Sequence, residues 1–186
     1  MKFFTVPLLC ISLFFVACKK DKKPEEKETP DVKAEKPKSF LPMQVGNYWK
    51  KDKYNKIEIT DSVYIKGELY YRFDHLIDGD GLATSYSTID DKNQLWESSP
   101  QRPDIKSLVA RFDDKVNDSF FTLNDKTVYD FRVTVTKKSA DSITLISQII
   151  YHPIMSGRIM STNTFIRGIG YGGEFIGIKI NGKVIK

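Results

Sequence analysis

From Ser39 onward, apolar and polar residues alternate in short runs closed by Gly, Asn or Asp, and a period of two is the pattern of strands joined by turns. The clearest run sets Tyr129, Phe131, Val133 and Val135 against Asp130, Arg132, Thr134 and Thr136, which predicts one buried and one wet face. Ile57, Ile59, Val63 and Ile65 alternate with Glu58, Thr60, Ser62 and Tyr64. Lys66-Gly67 then turns the chain into Leu69, Tyr71, Phe73, His75 and Ile77, so the two runs read as a hairpin. Asp78-Gly79-Asp80-Gly81 and Asp90-Asp91-Lys92-Asn93 mark the next turns. The segment 143–151 is apolar on both faces and predicts a central strand. At the C-terminus, 175–180 and 183–185 flank Asn181-Gly182, a dipeptide suited to the positive φ angles of a type I′ turn, so the chain is expected to end in a hairpin.

One segment also fits a helix. Over 103–112, Ile105, Leu108, Val109 and Phe112 follow i, i+3, i+4, i+7 spacing after Pro103, a residue suited to a first helical turn; Lys106, Leu108, Ala110 and Phe112 equally allow a strand. Two openings look alike: Val45-Gly46-Asn47-Tyr48-Trp49 and Val116-Asn117-Asp118-Ser119-Phe120 each place an αL-tolerant residue after Val and an aromatic four positions after it. Turn residues before strands are common, so the likeness is read as coincidence rather than as the start of two related halves. The expectation is a single mainly β domain over 39–186, an antiparallel meander forming a barrel or sandwich, with one short helix near 103–112.

The first 38 residues follow different rules. Lys2 precedes an apolar run over 3–17, and charge resumes at Lys19 and Lys20, which is the order of a secretory signal peptide over 1–17. That run is too short for a bilayer core, which needs about 20 helical residues. Phe15-Val16-Ala17-Cys18 resembles the lipobox of bacterial lipoproteins, with Phe15 where an aliphatic residue is usual. The resemblance implies cleavage by signal peptidase II before Cys18, a diacylglyceryl group on its sulfur, and acylation of the new amino group by a chain such as palmitate. Lys19 is not the aspartate that retains lipoproteins of enteric bacteria at the inner membrane, so the resemblance implies the outer membrane as the address, with periplasmic and surface faces both open. Residues 19–38, rich in Lys, Glu and Pro, bury too little to fold and are expected to form a flexible charged linker of roughly 25 Å.

The stretch holding Phe40, Pro42, Val45-Gly46-Asn47 and Trp49 resembles the opening of uncharacterised secreted β-rich bacterial lipoproteins that begin Pro-x-x-Val-Gly-Asn-x-Trp. Gly168-Ile169-Gly170-Tyr171-Gly172 is similar to their glycine-rich closing segment. This resemblance implies architecture and no activity.

Charge and cysteine content narrow the function. The formal charge of +5 rests on 29 basic and 24 acidic residues; Lys2 and the linker's eight Lys and six acids leave 20 basic against 18 acidic in 39–186. That near balance lacks the basic footprint of a nucleic-acid-binding domain. The only cysteines are Cys10 and Cys18, so the domain holds neither a disulfide nor a thiol.

Chemistry sought along the domain is thin. Gly168, Gly170 and Gly173 spell G-x-G-x-x-G, but a dinucleotide site needs a following helix, and here a hairpin follows. Asp78-Gly79-Asp80-Gly81 lacks the later ligands of an EF-hand and reads as a turn, with a looser calcium site through Asp74 or Asp90 the alternative. His75 and His152 read as hydrogen-bonded core or rim residues. Asp113, Asp114 and Glu97, the last beside Ser98 and Ser99, are placed in loops with no reason to pair. A lipocalin-like barrel is also considered, although Gly46-x-x-Trp49 is one residue longer than that family's Gly-x-Trp.

The expected function is therefore a lipid-anchored cell-envelope lipoprotein with a non-catalytic binding or structural β domain. A carrier of lipid or other apolar ligand in a barrel cavity is the alternative, and an envelope hydrolase the third. No catalytic residue, metal or cofactor is expected; the membrane is the partner through Cys18, with a protein, polysaccharide or lipid partner left open. Each acyl methylene contributes about 0.8 kcal/mol to anchoring. Cys18→Ser is accordingly expected to move the protein from the detergent phase to the aqueous phase in detergent phase separation, with loss of the acyl mass. A variant that stays in the detergent phase refutes the anchor.

Overall fold

The computed structural model describes residues 39–186, and the regular structure there is all antiparallel β. Cys18 and the segments expected to be a signal peptide (1–17) and a linker (19–38) lie outside the described residues. Strands β1 (Tyr48–Lys50), β2 (Lys56–Ile65), β3 (Glu68–Ile77), β4 (Gly81–Ile89), β5 (Gln94–Ser98) and β6 (Ser107–Arg111) run as a meander. A second meander comprises β7 (Ser119–Phe121), β8 (Phe131–Lys138), β9 (Ser142–Ile149), β10 (Ile159–Ile166) and β11 (Gly170–Tyr171). The chain then returns to the first sheet as the hairpin β12 (Gly177–Ile180) and β13 (Lys183–Val184). The result is an eight-stranded sheet ordered β13-β12-β1-β2-β3-β4-β5-β6 and a five-stranded sheet ordered β11-β10-β9-β8-β7.

The two sheets form an open sandwich and not a closed barrel. Their inner faces share one core that includes Trp49, Ile59, Phe73, Leu95, Val133 and Leu145. At one pair of edges a backbone bond bridges the sheets, from the Leu108 N–H to the Thr122 carbonyl at 2.9 Å.

The expected hairpins form. Lys66 and Gly67 take φ of 50° and 82° between β2 and β3, and Asn181 and Gly182 take 51° and 79° between β12 and β13. β9 is the central strand of its sheet. Its inward Ile143, Leu145 and Ile149 are buried, while its other face is only half covered.

The helix over 103–112 is not present. Residues 100–104 make turns, with the Ile105 N–H bonded to the Arg102 carbonyl, and β6 follows in extended form. Leu108, Ala110 and Phe112 are all buried, which is the period-two reading of the segment, and Ile105 is exposed. The two periodicities share Leu108 and Phe112, and pairing with β5 decides between them.

Tyr129 departs from its expected burial too: it is 72% exposed, and its neighbour Asp130 is buried instead. The Asp130 carboxylate accepts backbone N–H bonds from Leu123, Asn124, Asp125 and Lys126 at 2.9–3.1 Å, so it holds the loop between β7 and β8 from within. Although burial opposes ionisation most strongly, these donors together lower its carboxyl from the ordinary value.

The two similar openings are not a coincidence of turn residues. Gly46 and Asn117 both adopt positive φ, 91° and 76°. The Gly46 N–H donates to the Ile59 carbonyl at 2.8 Å and the Ile59 N–H to Asn47 at 2.9 Å; the Asn117 N–H donates to Val135 at 2.8 Å and the Val135 N–H to Asp118 at 3.0 Å. Trp49 pairs with Ile57 as Phe120 pairs with Val133. Both second strands then bulge at a threonine, Thr60 after Ile59 and Thr136 after Val135. The halves β1–β4 and β7–β10 thus start with the same device in the same register.

An N-terminal strap seals the sandwich. Phe40 and Leu41 are fully buried, and the Phe40 ring stacks on Phe112 at 5.3 Å. Buried Asn47 ties this strap to the last hairpin: its Nδ2 donates to the Pro42 carbonyl at 3.1 Å, and its Oδ1 accepts from the Asn181 N–H at 2.8 Å. Trp49 meets the glycine-rich segment directly, donating its indole N–H to the Ile169 carbonyl at 2.7 Å. A Cβ on Gly170 would lie 2.5 Å from the Trp49 ring, and Gly170 has φ of 98°. Gly170→Ala is expected to destabilise the domain by at least about 2 kcal/mol through backbone strain and overpacking. Urea unfolding followed by tryptophan fluorescence measures this, and a change under about 0.5 kcal/mol would refute the contact's importance.

Candidate functional site

Side chains of paired residues in an antiparallel sheet share a face, so the register of the large sheet defines what lines its inner wall. One row crosses Trp49, Ile57, His75 and Ala83. The next holds Ile59, Phe73 and Ser85, and a third holds Tyr71, Ser87 and Glu97. Across β4 the inward residues Ala83, Ser85 and Ser87 are therefore short, and only Ile89 at its end, beside Leu95, is large. The short residues leave unfilled space opposite the segment that carries β11 toward β12, and this produces a cleft of about 720 Å³.

Its walls combine Trp49, Ile57, Tyr171 and Phe175 with the polar groups of His75, Ser85 and Glu97. Lys51, Lys56 and Glu174 also line it, and Lys56 is paired with Glu58 at 2.5 Å. Trp49 is wholly buried and stacks on Phe73 at 6.5 Å, while Tyr171 meets its edge at 5.2 Å. These rings form a rigid floor.

Burial shifts three groups of the cleft, His75, Glu97 and Tyr171, toward their uncharged forms. His75 Nε2 lies 3.2 Å from Ser85 Oγ. Burial lowers the imidazole's pKa, and the charge of Asp74 only partly opposes it. Asp74 itself lies on the opposite face of β3, where Thr60, Thr84 and Arg72 donate to its carboxylate at 2.9 Å. Burial raises the Glu97 carboxyl, with the Ser87 hydroxyl at 3.5 Å as the weak opposing donor. Tyr171 is raised above the ordinary phenol value by burial first and by the charge of Glu97 second.

The remaining residues named from sequence stay apart from this cleft. His152 Nδ1 accepts the backbone N–H groups of Ile154 and Met155 at 3.1 and 3.2 Å, which makes it a turn residue. Asp78-Gly79 form the turn between β3 and β4 with φ of 53° and 88°. Asp90 braces its own turn and accepts the Trp96 indole N–H at 2.9 Å. Among the described residues, no three His, Cys, Asp or Glu gather closely enough to hold a metal ion. Glu97 and Ser98, expected in a loop, belong to β5.

Ser85, Ser87 and Tyr171 were not singled out by sequence reasoning. The signal that could have found the first two is the inner face of β4, where short residues sit at alternate positions while Leu82 and Tyr86 occupy the other face. Tyr171 was noticed only within its glycine-rich context.

A smaller cleft of about 370 Å³ lies between β5–β6 and the chain after β7. Lys106 sits over the Trp96 ring and Arg111 over the Phe120 ring, each at 5.0 Å. Lys106 is already paired with Glu68 at 2.6 Å, and Arg111 lies 3.9 Å from Asp114.

Compared with known proteins, the chain matches no family model, no curated protein and no solved structure. The class defined by fold and cleft is thus an all-β sandwich with an amphipathic pocket on the inner face of its larger sheet.

Because its folded pKa is raised, Glu97 opposes folding above the unfolded carboxyl value of 4.5, and the penalty grows as pH rises toward the folded pKa. Glu97→Gln is expected to be more stable than the parent at pH 8, with the difference shrinking as pH falls toward 4.5 and lost below it. Thermal melts across that range check the sign, and a parent protein more stable at pH 8 would overturn the assignment.

Proposed function

We propose that this protein is a lipid-anchored lipoprotein of the cell envelope, held at the outer membrane through Cys18, whose β-sandwich is a non-catalytic binding domain. The observation that carries the binding part is the cleft of about 720 Å³, which joins apolar walls to a few convergent polar groups. Small-molecule sites have this composition, with volumes of roughly 300–1,000 Å³. The leader and Phe15-Val16-Ala17-Cys18 support the anchor, and the Lys, Glu and Pro of 19–38 support a tether between membrane and domain. The partners in this reading are the membrane, through the acyl chains, and a small molecule, through the cleft.

An envelope hydrolase is the second reading, favoured by the contact between Ser85 and His75. It ranks lower because Asp74, the carboxylate adjacent to His75, is engaged on the opposite face of the strand.

The core formed by the described residues runs from Phe40 to Ile180, so 39–186 carries a core of its own and is used alone. Native mass spectrometry of 39–186 after exposure to an envelope extract is expected to give a reproducible adduct that is released intact. Bare protein from every extract refutes the binding reading, and recovery of a cleaved ligand replaces it with the hydrolase.

A further inference from the structure

The cleft's hydrogen-bonding groups are incompletely used. The Tyr171 hydroxyl has no hydrogen-bond partner among the described residues, and Glu97 has a single contact, the 3.5 Å approach of Ser87. His75 is occupied on one ring nitrogen by Ser85. A carboxyl, a phenol and an imidazole therefore share one cleft with capacity to donate and accept. Ile57 and Phe175 supply apolar wall beside them.

We propose that this cleft binds an uncharged amphiphile, a molecule with a hydroxyl- or amide-bearing head and an apolar body, whose head is held by Glu97, Tyr171 and the Ser85–His75 pair. The proposal rests on the binding reading above and adds the chemistry of the ligand.

The charge of the surroundings selects the head. An anionic head placed among Glu97, Tyr171 and Ser85 meets a carboxyl and two hydroxyls, and of the two lysines on the cleft wall, Lys51 and Lys56, the latter is already paired with Glu58. A cationic head would have to hold Glu97 as a carboxylate largely by itself, and burying that ion pair costs the desolvation of both charges, which donors around the carboxylate would otherwise offset. Asp130 shows what that takes in this protein: four backbone N–H groups within 3.1 Å. Glu97 has one distant hydroxyl, and burial favours its neutral form, as it does for His75. A neutral head asks for no buried charge on either side and can both accept from Tyr171 and donate to the imidazole or the carboxyl. Ile57 and Phe175 line the cleft beside these groups, so its walls suit a molecule with a distinct apolar part.

Isothermal titration of 39–186 at pH 7 with three probes of one chain length, monododecanoyl glycerol, dodecanoate and dodecylamine, all below their critical micelle concentrations, tests this. The neutral probe is expected to bind at least tenfold more tightly than either charged probe. Tyr171→Phe, which removes one hydroxyl and no volume, is expected to weaken it by about tenfold, in line with a lost buried hydrogen bond. Ala83→Trp, which fills the cleft mouth, abolishes binding; its melting curve shows that it is folded. If a charged probe binds as tightly as the neutral one and Ala83→Trp removes that binding, the cleft is a binding site and the neutral-head proposal falls. If no probe binds, or folded Ala83→Trp binds as well as the parent, the proposal and the cleft-based binding reading fall together.

Discussion

The contact between the Trp49 indole and the backbone at Gly170 is the constraint on which the rest of the domain depends. Trp49 belongs to the opening of the domain and Gly170 to its closing segment, and they approach so closely that no side chain fits between them. The indole N–H satisfies the Ile169 carbonyl, so the largest buried ring leaves no polar atom unpaired. Around this point Phe73 and Tyr171 pack from opposite sheets, and aromatic pairs of this kind add about 0.5–1.5 kcal/mol beyond their burial. Because the indole also floors the cleft, the same contact that joins the ends of the chain positions the candidate binding groups.

The cleft is a place where the core stops being filled. β4 presents Ala83, Ser85 and Ser87 inward, where Ser85 stands beside Phe73 and Ser87 beside Tyr71 of β3. A sandwich optimised only for stability would place larger apolar residues there, since unfilled space beside a core forfeits dispersion contacts. It also places a glutamate at the wall with little to hold its charge. Both features disfavour folding, and both are what a pocket for a polar head on an apolar body requires.

The two halves solve one problem twice. Each begins with a residue at positive φ that lets an aromatic strand start beside its neighbour, and each then bulges at a threonine. They diverge in what fills the aromatic position: Trp49 carries an N–H that reaches the closing segment, whereas Phe120 lies beneath the Arg111 guanidinium. The halves are therefore alike in backbone and unlike in chemistry, and the floor of the cleft comes from the half that has the tryptophan.

Local physics made much of the fold legible in the sequence. Alternation located the strands from 57 to 77 and the central strand near 143–149, while Lys66-Gly67 and Asn181-Gly182 announced their hairpins through the φ angles that such residues tolerate. Where the deciding partner is distant, the sequence was silent or ambiguous. The segment 103–112 carried two periodicities, and only the pairing of β6 with β5 selected the extended one. Tyr129 and Asp130 exchanged their expected places because Asp130 is required by four loop N–H groups that periodicity does not register. The same holds for the site: Glu97 and Tyr171 stand 74 positions apart and meet only because β5 and β11 belong to facing sheets. Sequence by itself determined the alternation, the turns and the absence of cysteine from the domain, since each depends on residues close together in the chain. Tertiary structure alone decided sandwich over barrel, the equivalence of the two halves and the cleft, since each depends on which distant strands share an edge or a face.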